Sequence, residues 1–350
     1  MHYKLGAVFE RPTSALDHRL QNLYAEAMQE SMVSRSSGDA DAARDIVVGI
    51  GDSGPSHYSA ALAFAAQMSR QRQAGLRLVH GCLPRLSIAL RDEALERHIA
   101  RGEQLLDEAQ LAVSPLVDQG ISVELAALPQ TAVEALLQES RTAEAVIVQR
   151  RGSSSVGRVF SGVTSDTVAA QAACPVVVVR HDQSQSGEKR GIVVGVGAHS
   201  GALALEVGMA EATARKCPLT AVYVWDLEFS PTFGGSIDPD GEELAEATKW
   251  ADSVLANAVM EVAKTHPDVE LHAHSVRGVI EDGLLQECQN AELLVVERHR
   301  DAHLASIGLG TLTRHLLDHA PCPVMVTPHS EPHDHRPSAQ ATGLKTTAQS

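Results

Sequence analysis

Short apolar runs of about five residues recur along the chain, and between them lie longer stretches in which apolar residues return every three or four positions. The first pattern is that of strands buried on both faces, and the second that of amphipathic helices. Their alternation predicts an α/β fold built on a doubly wound parallel sheet. The runs fall at 46–50, 76–81, 122–126, 145–149 and 176–180, and again at 192–196, 219–225, 270–274, 293–297 and 324–327. One helix is predicted after Pro55 and Ser56, and a second along Leu95, Ile99, Leu106 and Ala109, which share one helical face. Leu244, Ala251, Leu255, Ala258 and Val262 trace the matching helix later in the chain.

The pattern repeats because the sequence does. Asp45-Ile46-Val47-Val48-Gly49-Ile50-Gly51 returns as Gly191-Ile192-Val193-Val194-Gly195-Val196-Gly197, and Ala173-Cys174-Pro175-Val176-Val177-Val178-Val179 as Pro321-Cys322-Pro323-Val324-Met325-Val326-Thr327. A nearly constant offset at both ends of the repeat implies duplication of a whole domain. The expected domains are 44–181 and 191–329, each folding as its own five-stranded layer, with a polar linker at 182–190. Residues 1–43 form an extra piece, with Leu16, Leu20, Leu23 and Ala27 at helical spacing and a polar tether after them. Residues 330–350 lack periodicity and are expected to be disordered.

Composition narrows the partners. Among 350 residues the formal charge is −15 and the basic residues are scattered, which argues against nucleic acid or an anionic membrane as partner. No apolar run approaches the roughly 20 residues of a spanning helix, and the start lacks a signal-peptide layout, so a cytoplasmic location is expected. Only 3% of residues are aromatic, so the cores must be aliphatic. The five cysteines are isolated in apolar surroundings and read as reduced packing residues, Cys174 and Cys322 included.

In an open parallel sheet, ligands bind beyond the carboxyl ends of the strands, where the strand order reverses. Two loops border that point in each copy, one after the first strand and one between the fourth strand and the last helix. In the first copy the second loop runs from Gln149 to Ser165 and holds Gly152, Gly157 and Gly162. This loop, with the opening Ile-Val-Val-Gly strand and the Cys-Pro-Val-Val strand, resembles the universal stress protein family, whose nucleotide-binding members carry G-x2-G-x9-G-[ST] here. The resemblance covers both copies. It implies two adenine nucleotide alpha hydrolase-like (Rossmann-like) domains of strand order 3-2-1-4-5, paired through their last strands as an internal pseudo-dimer that dimerises again.

The same resemblance implies an adenine-nucleotide site, with ATP as cofactor, at Gly49, Ile50, Gly51, Val148, Gly152, Gly162, Val163, Thr164 and Ser165. Arg150, Arg151 and Arg158 would lend it positive charge. Gln149 stands where the family has its first Gly, Val163 where it has Ser or Thr, and Gly51 and Gly197 where ATP-binding relatives have Asp. In the second copy only Gly310 and Thr311 keep the pattern, while Glu297 and Arg300 replace the earlier glycines. That pocket is expected to bind ATP poorly. A regulatory binding module is the preferred reading, against a slow ATP-hydrolysing enzyme or a nucleotide-free scaffold for an unknown protein partner.

Other constellations have plainer readings. Gly51-Asp52-Ser53-Gly54-Pro55 with His57 looks like a protease nucleophile motif but sits on a strand-to-helix turn, so Ser53, like Ser200, is expected to cap a helix. The pairs His315/His319 and His299/His303 lack an obvious third metal ligand, and His329, His333 and His335 are read as a disordered tail group.

Overall fold

The computed structural model describes residues 44–52, 54, 58–84, 92–118, 120–150, 161–181, 183, 191–197, 200–226, 241–298 and 309–329. The expected N-terminal helix, most of the loop after the fourth strand, most of the linker and the tail lie outside these residues.

The first half runs β1 (Ile46–Gly49), α1 (Ser59–Arg72), β2 (Leu76–Leu83), α2 (Asp92–Val113), β3 (Val123–Thr131), α3 (Ala132–Glu139), β4 (Ala145–Arg150), α4 (Ser161–Gln171) and β5 (Val176–Arg180). The second runs β6 (Ile192–Gly195), α5 (Ala202–Arg215), β7 (Leu219–Trp225), α6 (Glu242–Thr265), β8 (Leu271–Arg277), α7 (Ile280–Glu287), β9 (Leu293–Glu297), α8 (Thr311–His319) and β10 (Val324–Thr327). Every predicted strand is present. The main difference is β3, which extends to Thr131, where a capping box with Glu134 turns the chain into α3.

The strand order is β3-β2-β1-β4-β5-β10-β9-β6-β7-β8. Within each half the pairing is parallel and the order 3-2-1-4-5, because α1 and α2 cross on one face while α3 and α4 cross on the other. Right-handed crossovers on opposite faces advance in opposite directions. The core divides the same way. Ile46, Val48, Ile147 and Val177 pack against α1 and α2, whereas Val47, Val146, Val148 and Val178 pack against α3 and α4. Leu95, Leu106 and Ala109 are buried as expected and Ile99 is half-buried.

The two layers are not separate sheets. β5 and β10 pair antiparallel, with Val177 opposite Met325, and fuse them into one ten-stranded sheet. An uncovered last strand would expose a row of backbone donors and acceptors, and each half covers the other's. The seam is clasped on both faces. On one, Arg150 of the first half reaches Asp318 of the second at 2.6 Å, while Arg298, its equivalent in the repeat, donates to Ala170 O at 2.6 Å. On the other, Glu211 accepts from Arg72 and from Arg215, which in turn approach Glu144 and Glu292. Gln183 ties the first residues after β5 to the seam, donating to Ala320 O and Cys322 O at 2.9 and 2.6 Å.

Two glycines show how tightly helix meets sheet. A Cβ on Gly49 would lie 3.0 Å from Leu136, and one on Gly81 would lie 2.5 Å from the backbone N of Ala132. The second neighbour is main chain and cannot swing aside. Gly81→Ala should therefore cost about 1–3 kcal/mol in urea unfolding, a typical overpacking penalty. A loss under about 0.5 kcal/mol would show that α3 shifts freely.

Candidate functional site

The strand order reverses between β1 and β4, and again between β6 and β9. At each point the N-terminus of the first helix presents backbone N–H groups that an anion could use. Neither end is left open. In the first half Gln149, at the end of β4, accepts through Oε1 from the N–H groups of Ala60 and Ala61 at 3.0 and 3.2 Å. In the second half Glu297, at the same place in the repeat, accepts through Oε2 from Gly201 N at 2.6 Å. Neither serine expected to cap these helices stands at the N-cap position. Ser53 lies outside the described residues, Ser200 pairs its backbone with Gly197, and Tyr58 and Gly201, at the two N-cap positions, offer no capping side chain.

A histidine accompanies each cap. Nδ1 of His181 lies 3.4 Å from Gln149 Nε2, and Nδ1 of His329 lies 3.0 Å from Glu297 Oε1. His329 therefore belongs to the folded second half and not to a tail group as expected. The two crevices share a plan and differ in charge. The first holds an amide with an imidazole; the second holds a carboxylate, buried at 8% exposure, with an imidazole.

The residues expected to hold nucleotide scatter. Gly51 is exposed, with open space where a Cβ would stand, and Val163 and Thr164 occupy the first turn of α4 with Val163 exposed. These can face a ligand. Gly49 serves packing against Leu136, and Val148 is buried beneath it. The backbone of Ile50 is committed, its N–H to Val79 O and its carbonyl to His80 Nδ1, both at 2.9 Å. Ser165 is a correction: buried at 2%, it accepts from Arg150 Nη1 and faces the seam.

Arg150 is a second correction, because it is held by Asp318 through Nε and Nη2 at 2.9 and 2.6 Å and by Asp166 through Nη1. Its charge is spent at the seam and not on an anion. Gly162 lies in α4, whereas Gly152, Arg151 and Arg158 lie outside the described residues. Gly310 precedes α8 without a side-chain cap, and Thr311 opens that helix exposed. Sequence reasoning treated Gln149 only as a lost glycine and Glu297 as a lost glycine whose carboxylate repels phosphate, and it passed over their capping of the first helices and over His181. Their equal places in the repeat were the available signal.

Asp52, one residue past the family's Asp position, approaches His80 Nε2 at 3.4 Å and is otherwise exposed. His315 and His319 stack ring on ring at 4.2 Å, and among the described residues no group of three metal-ligating side chains converges. His299 and His303 lie outside the described residues.

Burial pushes the thiols of Cys82 and Cys174 up to about 12, with Glu103 and Asp52 adding to the effect at Cys82. Cys217 rises to about 11, again chiefly by burial. Almost no thiolate exists near neutrality, which removes these cysteines as nucleophiles. Iodoacetamide at pH 8 should label the native protein at least about a hundredfold more slowly than the urea-unfolded chain, with Cys217 first. Fast labelling of native Cys174 would contradict the burial account. Because each folded thiol titrates above the ordinary 9.0, the neutral form supports the fold below about pH 9, and that support is lost as pH rises through 11 and 12.

Comparison with known proteins agrees with this architecture. The model of the universal stress protein family matches residues 43–180 and again 189–328. A universal stress protein of Mycolicibacterium smegmatis is 27% identical over 290 residues, covering 80% of this chain and 96% of that protein. One from Mycobacterium tuberculosis is 27% identical over 296 residues, with 81% and 96% covered. The crystal structure of a universal stress protein from Archaeoglobus fulgidus superimposes with a TM-score of 0.60 over 81% of this chain and 98% of that one. At 16% identity, that likeness concerns the fold alone.

Proposed function

Because the chain belongs to the universal stress protein family, we propose that it is a non-catalytic regulatory module whose first half binds an adenine nucleotide while its second half acts as a structural partner. The carrying observation is the contrast between Gln149 and Glu297, which cap equivalent helices with opposite consequences for a phosphate. An amide has both a donor and an acceptor, so Gln149 can yield its helix N–H groups to a phosphate oxygen and turn its own N–H toward it. A carboxylate only accepts. Two like charges about 5 Å apart repel by roughly 3 kcal/mol at an effective dielectric constant of 20, enough to exclude phosphate from the second crevice.

Calorimetric titration of ATP into the full chain tests this reading. One site per chain is expected. Gln149→Glu, which copies the second half's residue into the first, should weaken binding by about a hundredfold. Glu297→Gln should leave the first site's affinity unchanged. Incubation with ATP should yield no ADP beyond the solution background. Absence of binding, or insensitivity to Gln149→Glu, would remove the nucleotide reading, and steady turnover would remove the non-catalytic one.

A further inference from the structure

The sheet ends on β3 at one side and on β8 at the other, and the two end strands are not alike. The duplication makes them counterparts. Val123 pairs with Leu76 as Leu271 pairs with Leu219, so Arg277 in β8 stands where Pro129 stands in β3. Proline lacks an N–H, and it is a common device for blunting a strand edge. β3 also shifts register against β2 between Gly81 and Leu83, a second break in its regularity. β8 has neither device. It keeps one register with β7 from Leu271 to Arg277 and contains no proline and no lysine.

The bonds to β7 show which groups of β8 face outward. Glu270 O accepts from Leu219 N, and Gly278 N donates to Trp225 O, both at 2.9 Å. The even-numbered residues therefore face β7, while Leu271, Ala273, Ser275 and Arg277 turn their backbone N–H and C=O groups away from it. Among the described residues no strand pairs with that outer side. Such a row of donors and acceptors is a template for one more strand.

Charge and apolar surface point to a second copy of the chain as that strand's source. A formal charge of −15 sets copies against each other over most of their surface. Residues 271–276 carry no carboxylate, and Arg277 ends the strand, so repulsion is least here. The large apolar side chains exposed in the second half, among the described residues, flank the two ends of this strand. Met260, 51% exposed, lies in the last two turns of α6, the helix that packs on β8 and leads to its amino end. Val279 and Ile280, 54% and 40% exposed, follow its carboxyl end. An antiparallel pair of β8 strands sets the carboxyl end of each against the amino end of the other. Val279 and Ile280 of one copy then approach Leu271 and Met260 of the other.

We propose that β8 is an interface through which two copies of this chain pair edge to edge, antiparallel about a twofold axis, in one continuous sheet. The chain already joins its own halves this way, through β5 and β10. A head-to-tail contact of β8 with β3 would use the edge that Pro129 interrupts and would leave an open chain of copies.

Sedimentation velocity of the full chain at about 50 μM should show a dimer. Ala273→Lys puts a charge at an exposed position in the middle of the outer edge. It should weaken association at least about a hundredfold, with circular dichroism and melting of the dilute protein unchanged. Leu125→Lys, the same change at the equivalent residue of β3, should leave the dimer intact. Hydrogen exchange at Ala273 and Ser275 should slow about tenfold as concentration rises, and exchange at Leu125 and Ala127 should not change. The proposal falls if the chain stays monomeric, if Ala273→Lys dimerises as the parent does, or if Leu125→Lys abolishes the dimer. It also falls if the amides of Ala273 and Ser275 are equally protected at every concentration, which would mean that another segment of the same chain covers the edge.

Discussion

Glu211→Met should lower the stability of the whole chain by about 3–5 kcal/mol, the usual result of removing one partner from a buried ion network. Glu211 has no exposed surface and bridges Arg72 of one half to Arg215 of the other. Its equivalent in the first half is Met68, four residues before the end of a helix of the same length. The substitution therefore brings in a side chain that this helix position accommodates in the other copy, and the loss reports charge and not shape. Without the carboxylate two guanidinium groups face each other at the seam, with only the outer Glu144 and Glu292 to offset them. Urea unfolding measures the effect. A loss below about 1 kcal/mol would mean that water compensates for the bridge. Lys264→Ala is the control. Its ion pair with Glu261 is exposed at 63% and 78%, and its removal should change stability by less than about 0.5 kcal/mol.

Arg150→Met should cost about 2–4 kcal/mol and act on the opposite face of the same seam. Arg150 is buried, and its loss leaves Asp166 and Asp318 to face each other without their shared cation. The expected penalty is smaller than at Glu211, because Asp318 is 43% exposed and can rehydrate, and Arg314 stands 3.4 Å from Asp166. Combining the two substitutions tests whether the seam opens as a unit. If the halves stay docked, penalties at well-separated sites add. If either change alone releases β5 from β10, the second costs little more, and the unfolding curve should split into two transitions as the halves melt separately. A single sharp transition in the double variant, with fully additive losses, would show that the antiparallel strand pair holds the halves without the clasps.

The sequence by itself determined the strands, the helices α1, α2 and α6, and the duplication. Runs such as Val176 to Val179 can bury both faces only in a sheet covered on both sides, and the phase of Leu95, Leu106 and Ala109 leaves one helical face to bury. Such patterns are local, and one chain suffices to read them. The roles of polar side chains at the crevices and the seam were decided only in three dimensions. Gln149 lies 88 and 89 residues from the helix end it caps, and Arg150 lies 168 from Asp318. Adjacent strand residues point to opposite faces, so Gln149 reaches α1 at the crevice while Arg150 reaches α4 and α8 at the seam. Reading the Gln149 position only as a missing glycine, and Arg150 as a source of positive charge, located the crevice but not what fills it. A buried polar group takes whichever partner the packed fold brings within reach, and that choice depends on chain crossings that no local pattern records.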